Sequence, residues 1–190
     1  MIYPLLSQLV KDNTETLAKT YFNEVKKTDY MRTYNARKED EVIERGKMVF
    51  ENLHKWLESG AKNDEIEKYF VEIGRERFKE GFPLIEVKYA LYLTKKVFWS
   101  FVIWKKEFTE QLNTESAIET MTVLNNYFDI GNFFIIRGYL SELFEHLGEA
   151  EHYSKEELQK YLIRGDLHEE SIKKIREKMY GEGLSIGLIR

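Results

Sequence analysis

The chain contains no cysteine. That absence excludes a disulfide framework and every thiolate-ligated metal site. Proline is held to two residues and glycine to eleven of 190, so few positions can break a helix. No long apolar run occurs either. The longest, VFWSFVIW at 97–104, has eight residues against the roughly 20 that span a bilayer, and no membrane partner is expected. The amino terminus, MIYPLLSQLVKDN, places no basic residue before its apolar ones and does not read as a signal peptide, which makes the cytoplasm the expected location. An excess of one charge is also missing. Lys and Arg number 29 and interleave with 33 Asp and Glu, without the basic stripe that nucleic-acid binding requires, so no nucleic-acid partner is expected. Catalytic signatures are absent as well. There is no Gly-x-Ser-x-Gly elbow, no Walker loop and no dinucleotide fingerprint, and the expectation is a protein that is not an enzyme.

What remains is helical patterning. Leu5, Leu6, Leu9, Val10, Leu17, Tyr21, Phe22 and Val25 mark a first helix that stops near KKTDYMRTYN. A second covers Glu39–Glu58, with Val42, Gly46, Phe50, Leu53 and Leu57 on one face. Gly60 suits its left-handed cap, and Asn63 or Asp64 suits the next N-cap. A third carries Ile66, Tyr69, Phe70, Ile73 and Phe78. Gly81 then closes it, and Pro83 opens a fourth over 83–107. That fourth helix is apolar nearly all round in its second half, which requires cover on every side, from its own domain or from a second subunit. A fifth is expected over Asn113–Leu147. In it Gly131 and Gly138 share a face and allow another backbone to approach, unless a break at Gly131 divides it. Sequence capping boxes at Ser154/Glu157 and Asp166/Glu169 start short helices over 154–164 and 166–180, before a glycine-spaced tail at 181–190. The fold class is therefore all-α: a compact multi-helix bundle or globin-like sandwich of about five main helices with two short C-terminal ones. Residues 1–150 form the main helical domain and 151–190 an appendage.

Candidate chemistry is sparse. A haem or di-iron site is the sharpest chemistry a bundle can host. His146 with Glu149, and the neighbouring Glu142, Glu145 and His152, lack the second Glu-x-x-His pair that a di-iron site needs. His54 sits among Lys47, Glu51 and Glu58 on the polar side of its helix, and His168 reads as boundary packing. No metal ligand is therefore assigned, and no cofactor is expected, with a haem or metal sensor as the alternative. A polar stripe, Thr122, Asn125, Asp129 and Asn132, runs at helical spacing along the otherwise apolar fifth helix. It is either that helix's solvent face or, opposite Trp99 and Trp104, the polar side of a small-ligand pocket. On the second reading Trp99, Trp104, Asn125, Asp129 and Asn132 are the pocket candidates. Arg75 and Arg77, one turn before the Gly81–Pro83 corner, are candidate anion contacts, with ordinary salt bridges as the plainer role.

The segments LAKTYFNEV, NLHKWLESG and YFVEIGRERFKEGFPLIEVKYALYLTKKVFW carry a further signal. With Trp56-Leu57, Gly74-Arg75 and Arg77, Glu80-Gly81, Pro83-Leu84 and Lys95-Lys96, they resemble the helical N-terminal domain of RsbRD-type RsbT co-antagonists, also found ahead of PucR-like regulators and sensor kinases. The resemblance extends over about residues 15–150 and is most specific at 69–99. It implies a non-enzymatic input module that passes a signal to an output domain; for this chain a homodimer and a protein partner or output domain are expected. Where that family continues into an output domain, the pattern after residue 150 here reads as the two short helices and the tail. The expected function is thus a regulatory or sensory helical domain, working by small-ligand binding, by protein contact, or as an adaptor docking through the tail.

Overall fold

The computed structural model describes residues 2–148. The helices expected at 154–164 and 166–180, the tail at 181–190, Glu149, His152 and His168 lie outside those residues. The described residues form α1 (Tyr3–Lys26), α2 (Arg32–Asn35), α3 (Glu39–Glu58), α4 (Asn63–Lys79), α5 (Leu84–Trp104), α6 (Lys106–Thr109) and α7 (Thr114–Gly148), with no strand among them. The fold is an all-α bundle, and its five long helices are the five that periodicity predicts. Two long pairs, α1 with α3 and α4 with α7, are joined by α5, which packs against α1, α4 and α7.

Glycine ends two of the helices by one mechanism. After α3, Gly60 adopts φ 81°, its N–H donates to Leu57 O, and the Ala61 N–H donates to Trp56 O. After α4, Gly81 adopts φ 77°, with Gly81 N–H to Phe78 O and Phe82 N–H to Arg77 O. Both are Schellman closures, in which the left-handed glycine lets its own amide and the next one satisfy the last free carbonyls. The entries differ from expectation by a residue: Lys62 precedes α4, and Pro83 is the residue before α5 rather than its first turn. The fourth expected helix also ends early. Lys105 leaves helical geometry at ψ 85° and α6 follows as a separate turn. α7 runs through Gly131 without a break.

The core is aromatic. Tyr127 of α7 is fully buried, and its ring meets Trp56, Phe70 and Phe128 at 5.2–5.3 Å. Its hydroxyl donates to Val49 O at 2.8 Å and lies 3.0 Å from Asn52 Oδ1. Burying such a ring contributes about 1.5–3 kcal/mol, and the hydroxyl's partners remove the penalty of burying a polar group.

Close approach of α4 to α7 depends on small residues. A methyl at Gly74 would meet the Ile135 carbonyl and the Tyr139 amide, and one at Gly138 would meet the Val71 carbonyl. Alanine gains up to about 1 kcal/mol of helix propensity at such sites. Backbone cannot yield as a flexible side chain does, and overpacking typically costs about 1–3 kcal/mol, so collision prevails. Gly74→Ala and Gly138→Ala are each expected to destabilise by about 1–2 kcal/mol net in urea unfolding. Equal or greater stability in both variants would show that the two backbones do not touch there.

Candidate ligand pocket between α5 and α7

One face of α5 carries Ile85, Lys88, Tyr89, Tyr92 and Lys95, spaced so that successive helical turns bring them into line. Opposite lie Phe128, Asp129 and Asn132 of α7, and Tyr30 closes one side from the loop before α2. Together with Leu91 and Glu86 they enclose a pocket of about 360 Å³, within the ~300–1,000 Å³ typical of small-ligand sites. Its walls are rings. Tyr30 meets Tyr89 edge-on at 6.1 Å, and Tyr89 lies 5.4 Å from Tyr92. Burial, with the charge of Asp29, raises the Tyr30 phenol above its ordinary value, so it stays a neutral hydrogen-bonding group.

The charged lining is largely spoken for. Lys95 Nζ bridges to Asp129 Oδ1 at 2.7 Å, tying α5 to α7 across one rim. Glu86 is only 2% exposed and turns its carboxylate to the start of α2. It accepts from the Thr33 N–H at 2.9 Å, the Thr33 hydroxyl at 3.0 Å and the Tyr34 N–H at 3.4 Å. A helix start presents free amides and a partial positive charge, which a carboxylate satisfies from outside the helix. This contact explains why a four-residue helix forms where the sequence shows only a stop.

The sequence-predicted residues are partly brought together. Asp129 and Asn132 line the pocket; Asn125 does not, and Thr122 is exposed. Trp99 packs half-buried on the core, and Trp104 is 83% exposed because the helix ends beside it. Of the two expected sources of cover for the second half of α5, its own domain does not supply it at Ile103 and Trp104. Neither Arg75 nor Arg77 lines this pocket. Arg75 pairs with Glu142 at 3.7 Å and Glu72 at 3.9 Å, part of a seam that also holds Lys79–Glu142. Arg77 is buried, bonds Glu80 at 2.9 Å and stacks on Phe82 together with Arg37 and Arg45. The pocket residues not expected from the sequence are Tyr30, Ile85, Glu86, Lys88, Tyr89, Leu91, Tyr92, Lys95 and Phe128. Their signal was the α5 stripe itself, which passes for ordinary amphipathic patterning.

The two described histidines, His54 and His146, do not assemble a metal centre. His54 keeps Glu58 beside it, as expected of the polar side of its helix, but is largely buried. It sits at the α1–α3 seam, with Nδ1 2.7 Å from Ser7 Oγ and Nε2 3.4 Å from Glu58. His146 lies against the Phe78 ring at 5.8 Å. Among the described residues no three His, Asp or Glu side chains are grouped to hold a metal ion, and no helix is long and apolar enough to cross a membrane. Comparison with known protein families, curated proteins and solved structures finds no match to this chain.

Two carboxylates give tests. Burial would raise the Glu80 carboxyl, but hydrogen bonds from Arg45 and Arg77 and their charges outweigh it, and the pKa falls below the ordinary 4.5. A depressed folded pKa contributes stability above the unfolded value, and that contribution is lost as pH drops through the folded one. Solvent screening at a third exposure limits it to under about 1 kcal/mol. Relative to wild type, Glu80→Gln is therefore expected to lose stability at neutral pH and to converge with it below pH 4.5, read by urea midpoints. A constant gap at all pH values would show that the ion pair is not the cause. Glu86→Gln exchanges charge-assisted bonds for neutral ones and turns an amide donor toward donors. The expected loss is about 1–3 kcal/mol, with faster hydrogen exchange at Thr33 and Tyr34. Unchanged exchange there would refute the capping role.

Proposed function

We propose that this chain is a non-enzymatic regulatory module that binds a small molecule with a largely apolar body between α5 and α7 and acts on a protein partner. The observation that carries the reading is the tyrosine-walled pocket itself, a concave and mostly apolar site with a few polar groups at its edge. A binding role is favoured over a catalytic one because the acids are already engaged: Asp129 with Lys95, and Glu86 with the start of α2. Glu86 also gives occupancy a mechanical route outward, since it belongs both to the pocket lining and to the cap of α2. The resemblance to co-antagonist input domains supports the regulatory part of the proposal. No output domain is invoked.

A second reading, protein contact through a homodimer, is favoured by one feature. Ile118, Met121, Phe133 and Phe144 stand exposed on α7, and Trp104 on α5, more large apolar surface than scattered single residues provide. Polar Thr122, Asn126, Asp129 and Arg137 interrupt it, which places this reading second.

The test is ligand-observed NMR with a library of aromatic fragments against wild type and Asn132→Trp, whose indole fills the pocket mouth. Fragments that compete with one another and lose at least about ten-fold in affinity (about 1.4 kcal/mol) in the variant are the expected result. No binding at all, or binding indifferent to the variant, overturns the pocket reading. A concentration-dependent dimer abolished by Phe133→Glu would then favour the second.

A further inference from the structure

The charges around the pocket specify more than its size. Four ionisable side chains of fixed sign line it: Glu86, Lys88, Lys95 and Asp129. Lys95 and Asp129 neutralise each other at 2.7 Å. Glu86 is answered by the Thr33 and Tyr34 amides at the positive end of α2. Lys88 lies one helical turn before Tyr92 and two before Lys95, on the same face of α5, and is exposed. No described carboxylate pairs with it. Among the described residues the pocket therefore retains one uncommitted cation, set at the edge of an apolar space.

Of the apolar lining residues, Tyr30, Tyr89, Tyr92 and Phe128 are aromatic, against Ile85 and Leu91. Rings at 5.4–6.1 Å in edge-on and tilted arrangements offer faces and edges to a flat guest, which gains about 0.5–1.5 kcal/mol per well-placed ring pair beyond its buried area. An aromatic cage for a cationic guest has similar walls. It needs negative charge to spare, and here both acids are consumed while two lysines stand on the rim.

We infer that the pocket takes an aromatic monocarboxylate, its rings between Tyr89, Tyr92 and Phe128 and its carboxylate on Lys88. The inference rests on the ligand-binding reading and adds to it the chemical class of the ligand. The Lys95–Asp129 pair closes the far rim and leaves Lys88 as the site where the carboxylate is read. Asn132 adds an amide on the α7 side.

The test uses three probes with one body: 2-naphthoate, 2-naphthalenemethanol and 2-naphthylmethylammonium, titrated calorimetrically into the full chain. The expected order is carboxylate, then alcohol, then ammonium. The carboxylate should bind about ten-fold tighter than the alcohol, the usual scale of one charge-assisted contact. In Lys88→Met the carboxylate is expected to fall to the alcohol's affinity; Lys88 is exposed, so the variant should fold. If the three probes bind equally, or the ammonium binds best, the carboxylate inference is overturned while the pocket reading stands. If none binds, the pocket reading itself fails. A carboxylate preference that persists in Lys88→Met overturns the assignment to this lysine.

Discussion

The contact on which the rest depends is backbone against backbone, where α4 and α7 cross. Gly74 lies under the Ile135 carbonyl and the Tyr139 amide, and Gly138 lies against the Val71 carbonyl. Side chains at either position would push the helices apart and with them the ring stack of Phe70, Tyr127 and Phe128. Helix axes normally stand 8–10 Å apart according to the side chains between them, so glycine is what permits the short end of that range. Ion pairs then fasten the edges of the same crossing, Arg137 to Glu67 at 2.6 Å and Lys79 to Glu142 at 3.3 Å. Such exposed pairs contribute little individually; they fix register more than they stabilise. The other long pair has its own small residue, Gly46 beneath the Tyr21 ring.

From that crossing the pocket follows. α7 packs against α4, and α5 packs against both α1 and α7. Between α5 and α7 the tyrosines of α5 line a space they do not fill, and the loop before α2 supplies Tyr30 as a further wall. Glu86 makes that loop part of the same unit. Its carboxylate binds amides 52 and 53 residues earlier in the chain, so the wall containing Tyr30 is anchored to the helix bearing Tyr89 and Tyr92. The same charge-assisted contacts tie α5 directly to the start of α2.

The long helices were legible because each depends on local repetition and local stops. Gly60 and Gly81 fulfil the cap role their positions suggested, and Gly138 meets a backbone as its place on α7 suggested, whereas Gly131 meets the Phe70 ring instead. Elements that depend on distant partners were not legible. α2 has four residues, too few for periodicity to register, and exists where Glu86 meets it. Trp104 looked buried because its neighbours are apolar, yet the turn at Lys105 ends the helix and leaves the indole in solvent. The polar stripe on α7 was visible because polar residues interrupt an apolar surface; Asp129 and Asn132 reached the pocket, while Asn125, one turn earlier, did not. Tyr89 and Tyr92 were concealed by the opposite circumstance, since aromatic residues on an amphipathic helix look like core until the facing helix is placed. Arg77 lies beside Tyr34 and Phe82, and its position depends on how three helices meet, which spacing along one of them does not encode.

The most direct measurement is a crystal structure of the full chain soaked with 2-naphthoate. The predicted result is ring density between Tyr89, Tyr92 and Phe128, with the carboxylate within hydrogen-bond reach of Lys88 Nζ and the contacts of Glu86 to α2 retained. Density on the exposed side of α7 near Phe133, or a pocket left unchanged in crystals whose soak saturates the protein in solution, would contradict it.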